Sequence, residues 1–259
     1  MATESTLTVT TSAGEIPIGF GERGSGRPVL LLHGGAGPAS VAGFADLLAE
    51  ETATRVITPT HPGFGGTPRP PALVTIAGLA ELYVGLLGAL GVRDVTVIGN
   101  SIGGWIAAEL ALRNSPLVRD VALVDAVGID VEGHPVADFF ALTPAQIAEH
   151  SYYDPATAVI PDPATLPPAA RQIALGNRES LATYGGTMTD PGLRLRLAAI
   201  DVPALVVWGE ADRIADAEYG RAYAAAIPGA RFALLEHTGH VPQIETPVTL
   251  LDALRGFLT

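Results

Sequence analysis

Chemistry is most legible in this sequence where a serine is framed by glycines. The stretch Val95-Thr96-Val97-Ile98-Gly99-Asn100-Ser101-Ile102-Gly103-Gly104-Trp105 runs from a β-branched apolar segment into residues that recur at helical spacing (Ile102, Ile106, Ala107, Leu110, Ala111). A chain that turns from strand to helix so quickly passes too close to itself for side chains at the flanking positions. Gly99-x-Ser101-x-Gly103 is the pattern such a turn demands. Its apex residue is pushed into a strained, exposed conformation at a helix N-terminus. There the serine Oγ can act as a nucleophile, and the Ile102 amide points the same way with the helix dipole behind it. With eight serines and 30 glycines in 259 residues, a chance match is expected only about 0.1 times.

A serine nucleophile needs a base to take its proton and a carboxylate to orient that base. In a parallel α/β sheet both come from loops at the C-terminal ends of strands, the edge where such sheets bind ligands. The apolar run Ala204 to Trp208 leads into Gly209-Glu210-Ala211-Asp212-Arg213, and Arg231 to Leu235 leads into Glu236-His237-Thr238-Gly239-His240. Ser101, Asp212 and His240 each stand just after a strand and are the candidate nucleophile, acid and base. His237 lies closer to its strand and lacks a preceding glycine to free the loop. Glu210 reads as solvated, Arg213 as a neutraliser of the acidic loop, Trp105 as core, and His134 and His150 as surface residues. Asn100 and Gly34 are candidate substrate-binding residues, and Asn100 equally suits a turn-stabilising amide.

These loops need a scaffold. Leu7 to Thr11 and Ile16 to Gly21 alternate about Ser12-Ala13-Gly14-Glu15, an opening hairpin. Pro28 to Leu32 suits a strand buried on both faces and ends in His33-Gly34-Gly35-Ala36-Gly37-Pro38. A helix over Ser40 to Glu51, a strand over Arg55 to Thr58, a helix over Thr75 to Leu90, the Ser101 unit and a strand over Val118 to Val124 follow. This alternation implies crossover connections and a mostly parallel sheet. The rhythm fails between Ile129 and Ala199, where prolines stand at 135, 144, 155, 161, 163, 167, 168 and 191. Short helical pieces are expected there only around Pro144 to His150 and Pro168 to Leu181. About 70 residues so broken make a poor core alone, so 129–199 reads as a cap inserted into a core of 1–128 and 200–259. Strand Ala204 to Trp208, helix Ala215 to Ala226, strand Arg231 to Leu235 and helix Pro247 to Leu258 complete the chain.

Composition removes other classes. Hydrophobic residues make up 48% and charged residues 16%, which is globular rather than disordered. A net charge of -12 argues against nucleic-acid partners, whose binding rests on Lys and Arg neutralising phosphates. No apolar run reaches the roughly 18 residues of a membrane span; the longest, Leu79 to Val92, is interrupted by Glu81. With no cysteine there is no disulfide framework, thiol nucleophile or thiolate metal site. No cluster has metal-ligand spacing and no Gly-x-Gly-x-x-Gly follows a strand in the first βα unit, so neither a metal nor an organic cofactor is expected. Met1-Ala2-Thr3-Glu4 does not begin a secretory signal. The expectation is a cytoplasmic protein with a small-molecule substrate and no membrane partner.

The elbow, the order Ser, Asp, His and the His33-Gly34-Gly35 turn together resemble the α/β-hydrolase fold. The resemblance covers nearly all of the chain, the cap excepted. It implies an α/β architecture: a mostly parallel eight-stranded sheet, helices on both faces and a small helical cap. It implies Ser101 as nucleophile, Asp212 as the acid after the seventh strand, His240 as the base, and the amides of Gly35 and Ile102 as the oxyanion hole. Removing one such donor typically costs about 10²–10³ in turnover. His33 then packs the oxyanion turn. His61 stands where many relatives have an aspartate, in an Asp-x-Pro-Gly-x-Gly turn, and reads as loop structure. Asp125 ends the sixth strand, where some relatives place the acid, and is the rival of Asp212.

A hydroxyl nucleophile argues against the dehalogenase and epoxide-hydrolase branches, which need a carboxylate at the elbow. The His33 to Pro38 turn is similar to that of proline-releasing peptidases, which usually carry Trp where this chain has Ile102. With Gly99 to Gly104 it also resembles C–C hydrolases of aromatic ring-cleavage products, which usually have tryptophan after the base, where this chain has Val241. The resemblance therefore points first to a serine hydrolase of small, mostly apolar carboxylic esters, working through an acyl-enzyme on Ser101 and losing activity as His240 protonates. Alternatives are a C–C hydrolase of meta-cleavage-type diketone acids, a proline-type aminopeptidase and, in another class, a small-molecule binding or sensing protein on the same fold.

Overall fold

Apolar side chains alternate along the central strands so that both sheet faces are covered. The computed structural model describes residues 3–258. Among them, β1 (Thr3–Thr11), β2 (Gly14–Gly24), β3 (Arg27–Leu32), β4 (Thr54–Pro59), β5 (Val95–Asn100), β6 (Val118–Val124), β7 (Ala204–Gly209) and β8 (Arg231–Leu235) form one open sheet. Its order is β1-β2-β4-β3-β5-β6-β7-β8. β2 runs antiparallel to β1 and β4, and every other pairing is parallel. The helices are α1 (Ala42–Glu51), α2 (Ile76–Ala89), α3 (Ile102–Ala111), α4 (Pro144–Ser151), α5 (Pro168–Gly185), α6 (Leu193–Arg196), α7 (Ala217–Ala225), α8 (Pro242–Glu245) and α9 (Pro247–Leu258).

Leu30, Leu32, Val95, Val97, Val121 and Leu123 pack under α2, α3 and α7. Their neighbours Val29, Leu31, Ile98, Ala122 and Val124 pack under α1 and α9. A side-chain period of two thus makes two cores, one per face. Helix starts follow local chemistry. Thr75 Oγ1 accepts from the Gly78 amide at 3.0 Å and caps α2. The helix expected from Ala215 begins at Ala217 because Asp216 Oδ1 accepts from the Tyr219 amide at 2.9 Å. The one expected from Ser40 begins at Ala42, after a tight 3₁₀ turn over Pro38–Val41.

Between β6 and β7 the chain leaves the sheet, and its prolines do more than interrupt. Pro144 opens α4 behind a Thr143/Gln146 capping box, and Pro168 opens α5, which runs to Gly185 rather than Leu181. A proline in the first helical turn has no useful amide to lose. Leu181, Tyr184, Met188, Leu193 and Leu197 join the α2–α3 core, so this segment is anchored in the main core. Among the described residues no helix is long and apolar enough to cross a membrane.

Candidate active site

The turn from β5 to α3 holds Ser101 at φ 57°, a backbone state that costs a non-glycine residue about 1–3 kcal/mol. Its glycines are obligatory. A Cβ on Gly99 would stand 2.1 Å from the Gly103 carbonyl oxygen, and one on Gly103 would stand 2.5 Å from that of Leu32. The strain is as expected, but the exposure is not: Ser101 is only 8% accessible, because residues from 129–199 roof it.

Asp212 and His240, after β7 and β8, converge on the serine. Ser101 Oγ lies 2.9 Å from His240 Nε2, and His240 Nδ1 lies 2.8 Å from Asp212 Oδ2. A carboxylate oxygen accepts, so the imidazole proton sits on Nδ1 and leaves Nε2 free to receive the serine proton. Asp212 Oδ1 accepts from the amides of Ile214 (2.7 Å) and Ala215 (3.1 Å). Asp125, the rival acid, does not reach the base; its Oδ1 accepts from the Gly209 amide at 2.8 Å. Burial first, and then the Asp212 charge, push the Asp125 carboxyl well above the ordinary carboxylate range. Asp125, Asp212 and His240 offer metal-ligand atoms within 4.8 Å of one another, a juxtaposition the chain order does not reveal. A metal there would have to displace the bond between His240 and Asp212.

Of the two proposed substrate-binding residues, Asn100 borders the cavity beside Ser101 and Gly34 does not. Asn100 Nδ2 donates to the carbonyls of His240 (2.9 Å) and Val124 (3.3 Å), and its Oδ1 accepts from Gln243 Nε2 (3.1 Å). It ties the nucleophile strand to the base loop. Gly34 is buried behind the oxyanion turn and accepts from His33 Nδ1 and the Gly37 amide. Gly35 does border the cavity beside Ser101, and neither its amide nor that of Ile102 has an acceptor among the described residues.

A buried histidine pair fixes that turn. His33 Nε2 accepts from the His61 amide at 3.1 Å, so its proton is on Nδ1, donated to Gly34 O at 2.8 Å. His61 Nε2 donates to His33 O at 2.9 Å, and its Nδ1 accepts from the Tyr83 hydroxyl. Every ring nitrogen is satisfied with both rings neutral. Burial pushes His33 down to about 4 and depresses His61 in the same direction, helped there by the charge His33 would carry.

The remaining candidates lie off the chemistry. His237 is exposed and packs at a tilt against Tyr153, Glu210 is exposed, and Trp105 is core. His134 bonds Asp216, and His150 bonds the Gln146 carbonyl. Arg213 donates to the Glu149 carbonyl instead of neutralising the acidic loop. Glu245 is a residue that sequence reasoning missed. Its Oε2 accepts from the Gly239 amide (2.7 Å) and its Oε1 from those of Tyr153 (2.8 Å) and Asp154 (3.1 Å). It clasps the base loop to the roof, and the His240 amide adds a bond to Ser151 O at 2.8 Å.

Ser101 and His240 open onto a cavity of about 370 Å³ walled by Val136, Phe139, Leu181 and Met188 among others. Among the described residues its wall carries one cation, Arg178, and no Asp or Glu. The Arg178 guanidinium donates to Phe140 O and lies over the Phe139 and Phe140 rings, 5.8 and 5.3 Å from their centroids. A larger open groove, of about 600 Å³ between α1 and α8–α9, contains none of the triad.

Residues 29–253 match the model of the alpha/beta hydrolase family. The chain is 30% identical over 253 residues to 2-hydroxymuconate semialdehyde hydrolase of Pseudomonas putida, covering 92% of this chain and 89% of that one. It is 28% identical to Lipase 1 of Psychrobacter immobilis, covering 92% and 79%. A thermophilic esterase from Thermogutta terrifontis superposes with a TM-score of 0.76 at 27% identity, covering 98% of both chains. With the open eight-stranded sheet and the strand-to-helix serine turn already in place, these matches establish that the chain belongs to the alpha/beta hydrolase family.

Proposed function

We propose that the protein is a serine hydrolase that cleaves small, mostly apolar carboxylic esters through an acyl-enzyme on Ser101. The observation that carries this reading is the unbroken path from Asp212 through His240 to Ser101 Oγ at the floor of an apolar cavity. His240 takes the proton as Oγ attacks the carbonyl, and the Gly35 and Ile102 amides hold the developing oxyanion. His240 then gives the proton to the departing alcohol, and a water activated by the same ring releases the acid. The absence of a carboxylate from the cavity wall argues against an aminopeptidase, whose substrate brings a free amine.

Arg178 supports a second reading, C–C hydrolysis of a meta-cleavage-type diketone acid. Such a substrate brings a carboxylate, and the Arg178 guanidinium at the cavity wall meets the Phe140 carbonyl and the Phe139 and Phe140 rings, with no Asp or Glu in the wall among the described residues. The name of the 30%-identical relative supports the same reading.

Turnover separates the two. Specificity constants are compared for a butyrate ester and a vinylogous 1,5-diketone acid under identical conditions. Ester preference is expected; a diketone preference of tenfold, about 1.4 kcal/mol in transition-state binding, overturns the ester assignment. In that case Arg178→Gln selectively lowers turnover of the acid-bearing substrate. Ser101→Ala loses on the order of 10⁴ on either substrate, and a phosphonate labels Ser101 alone; labelling of another serine defeats both readings.

A further inference from the structure

Behind the triad stands a carboxyl group that this mechanism does not use. Asp125, just past the end of β6, is fully buried and has φ 45°. The Gly209 amide donates to its Oδ1, while its Oδ2 is buried with no N–H or O–H donor among the described residues. Asp212 is differently supplied: three N–H groups, from Ile214, Ala215 and His240, donate to it. The two carboxyl groups and the His240 ring share one space less than 4.8 Å across. Like charges this close and this buried do not both ionise, and one proton between them removes the repulsion and the orphaned oxygen together.

We propose that Asp125 is a positioning residue: a neutral carboxylic acid whose Oδ2–H donates to Asp212 and holds that carboxylate against His240. This rests on the reading of Asp212 as the acid of the triad. Three donors against one place the charge on Asp212 and the proton on Asp125. The ionisable groups facing Asp125 agree: Asp212 from the β7–α7 loop and Glu245 of α8 both disfavour a charge on it, and burial does so most strongly. His240, from the β8–α8 loop, is engaged at Nδ1 by Asp212 and at Nε2 by Ser101 Oγ.

Asparagine copies a neutral acid, with an oxygen for Gly209 and an N–H for Asp212. Asp125→Asn therefore keeps kcat/KM within about threefold and leaves the acid limb of the pH profile in place, whereas Asp125→Ala loses about tenfold or more. If Asp125 were ionised, asparagine would remove a negative charge beside the imidazolium and shift the acid limb to lower pH, and that result overturns the proposal. A second measurement does not depend on activity. Wild-type protein holds a proton that its unfolded chain releases above the carboxylate range, so its stability falls with rising pH through that group. The stability of Asp125→Asn relative to wild type consequently grows between about pH 5 and about pH 8 in urea titrations; a flat difference overturns the assignment, including when the alanine variant fails to fold. Asp212→Asn is the control. If it retains activity, the triad reading fails; if it collapses along with Asp125→Asn, only the role given to Asp125 fails.

Discussion

At the C-terminal edge of the sheet, position is dictated by backbone; in the roof over it, by side chains. Ser101 and Asp125 both sit at positive φ, and the elbow glycines face carbonyl oxygens that cannot move aside. The roof presents Val136, Phe139, Leu181 and Met188 to the cavity, from a segment whose Val159 is 88% exposed. On the proposed reading, the contrast puts the reaction on the sheet edge and substrate choice on the roof. The elbow tolerates almost no change of shape, whereas exposed roof positions such as Val159 can change without disturbing the core.

The largest effect that tests this contrast is on stability. Gly103→Ala places a methyl 2.5 Å from Leu32 O and 2.6 Å from His33 O, and is expected to cost about 3 kcal/mol with loss of the elbow. Val159→Ala in the roof stays within about 0.5 kcal/mol. Denaturant titration of the two variants measures the difference, and equal losses would break the comparison.

How far the sequence reveals this site depends on the kind of residue. The elbow was legible because strand, glycine spacing and helix are contiguous and each is required sterically. Asp212 and His240 were legible because each follows a strand in a glycine-containing loop. The second use of Asn100 was not, because its partner, the His240 carbonyl, lies 140 residues away and leaves no local pattern. Glu245 was invisible for the same reason: its acceptor role depends on three amides presented by two separate loops. At α5 the expected start at Pro168 holds, because a proline suits the first helical turn; only the end differs, at Gly185 instead of Leu181. Asp125 was legible as a carboxylate at a strand end, but its lack of a donor is a property of the packed fold.

The oxyanion turn gives a pH-dependent test of the same edge. His33 titrates at about 4 when folded and about 6.5 when unfolded. Above about pH 6.5 both states are neutral and the stability is fully present; as pH falls the unfolded chain takes up protons first. The loss approaches about 3 kcal/mol as pH nears the folded value, and His61 acts in the same direction. Urea titrations between about pH 7 and pH 4.5 check this, and a histidine contribution of zero across that window would show that the turn is not held by neutral rings.

The smallest effect concerns the roof itself, and it divides the roof rather than marking it as one mobile body. The 3₁₀ turns Pro155–Thr157 and Pro163–Thr165 contain no buried residue. Asp154 and Asp162 cap these turns, accepting at Oδ1 from the exposed amides of Ala156 (3.0 Å) and Ala164 (2.8 Å). Such amides open at little cost in free energy. Leu181, Tyr184, Leu193 and Leu197, in contrast, belong to the same core as α2 and α3 and cannot open without disturbing it. Hydrogen exchange is therefore expected to be fast over residues 156–167 and close to core rates over 181–197. Uniform protection across 129–199 would remove the basis for a movable cover, and uniform exchange would show that the shared core does not anchor it. The intermediate result assigns access to the cavity to 156–167, the stretch that brings Val159, Ile160, Pro161, Pro163 and Leu166 to its wall. Substitutions there should alter substrate entry while leaving the bond between Ser101 and His240 unchanged.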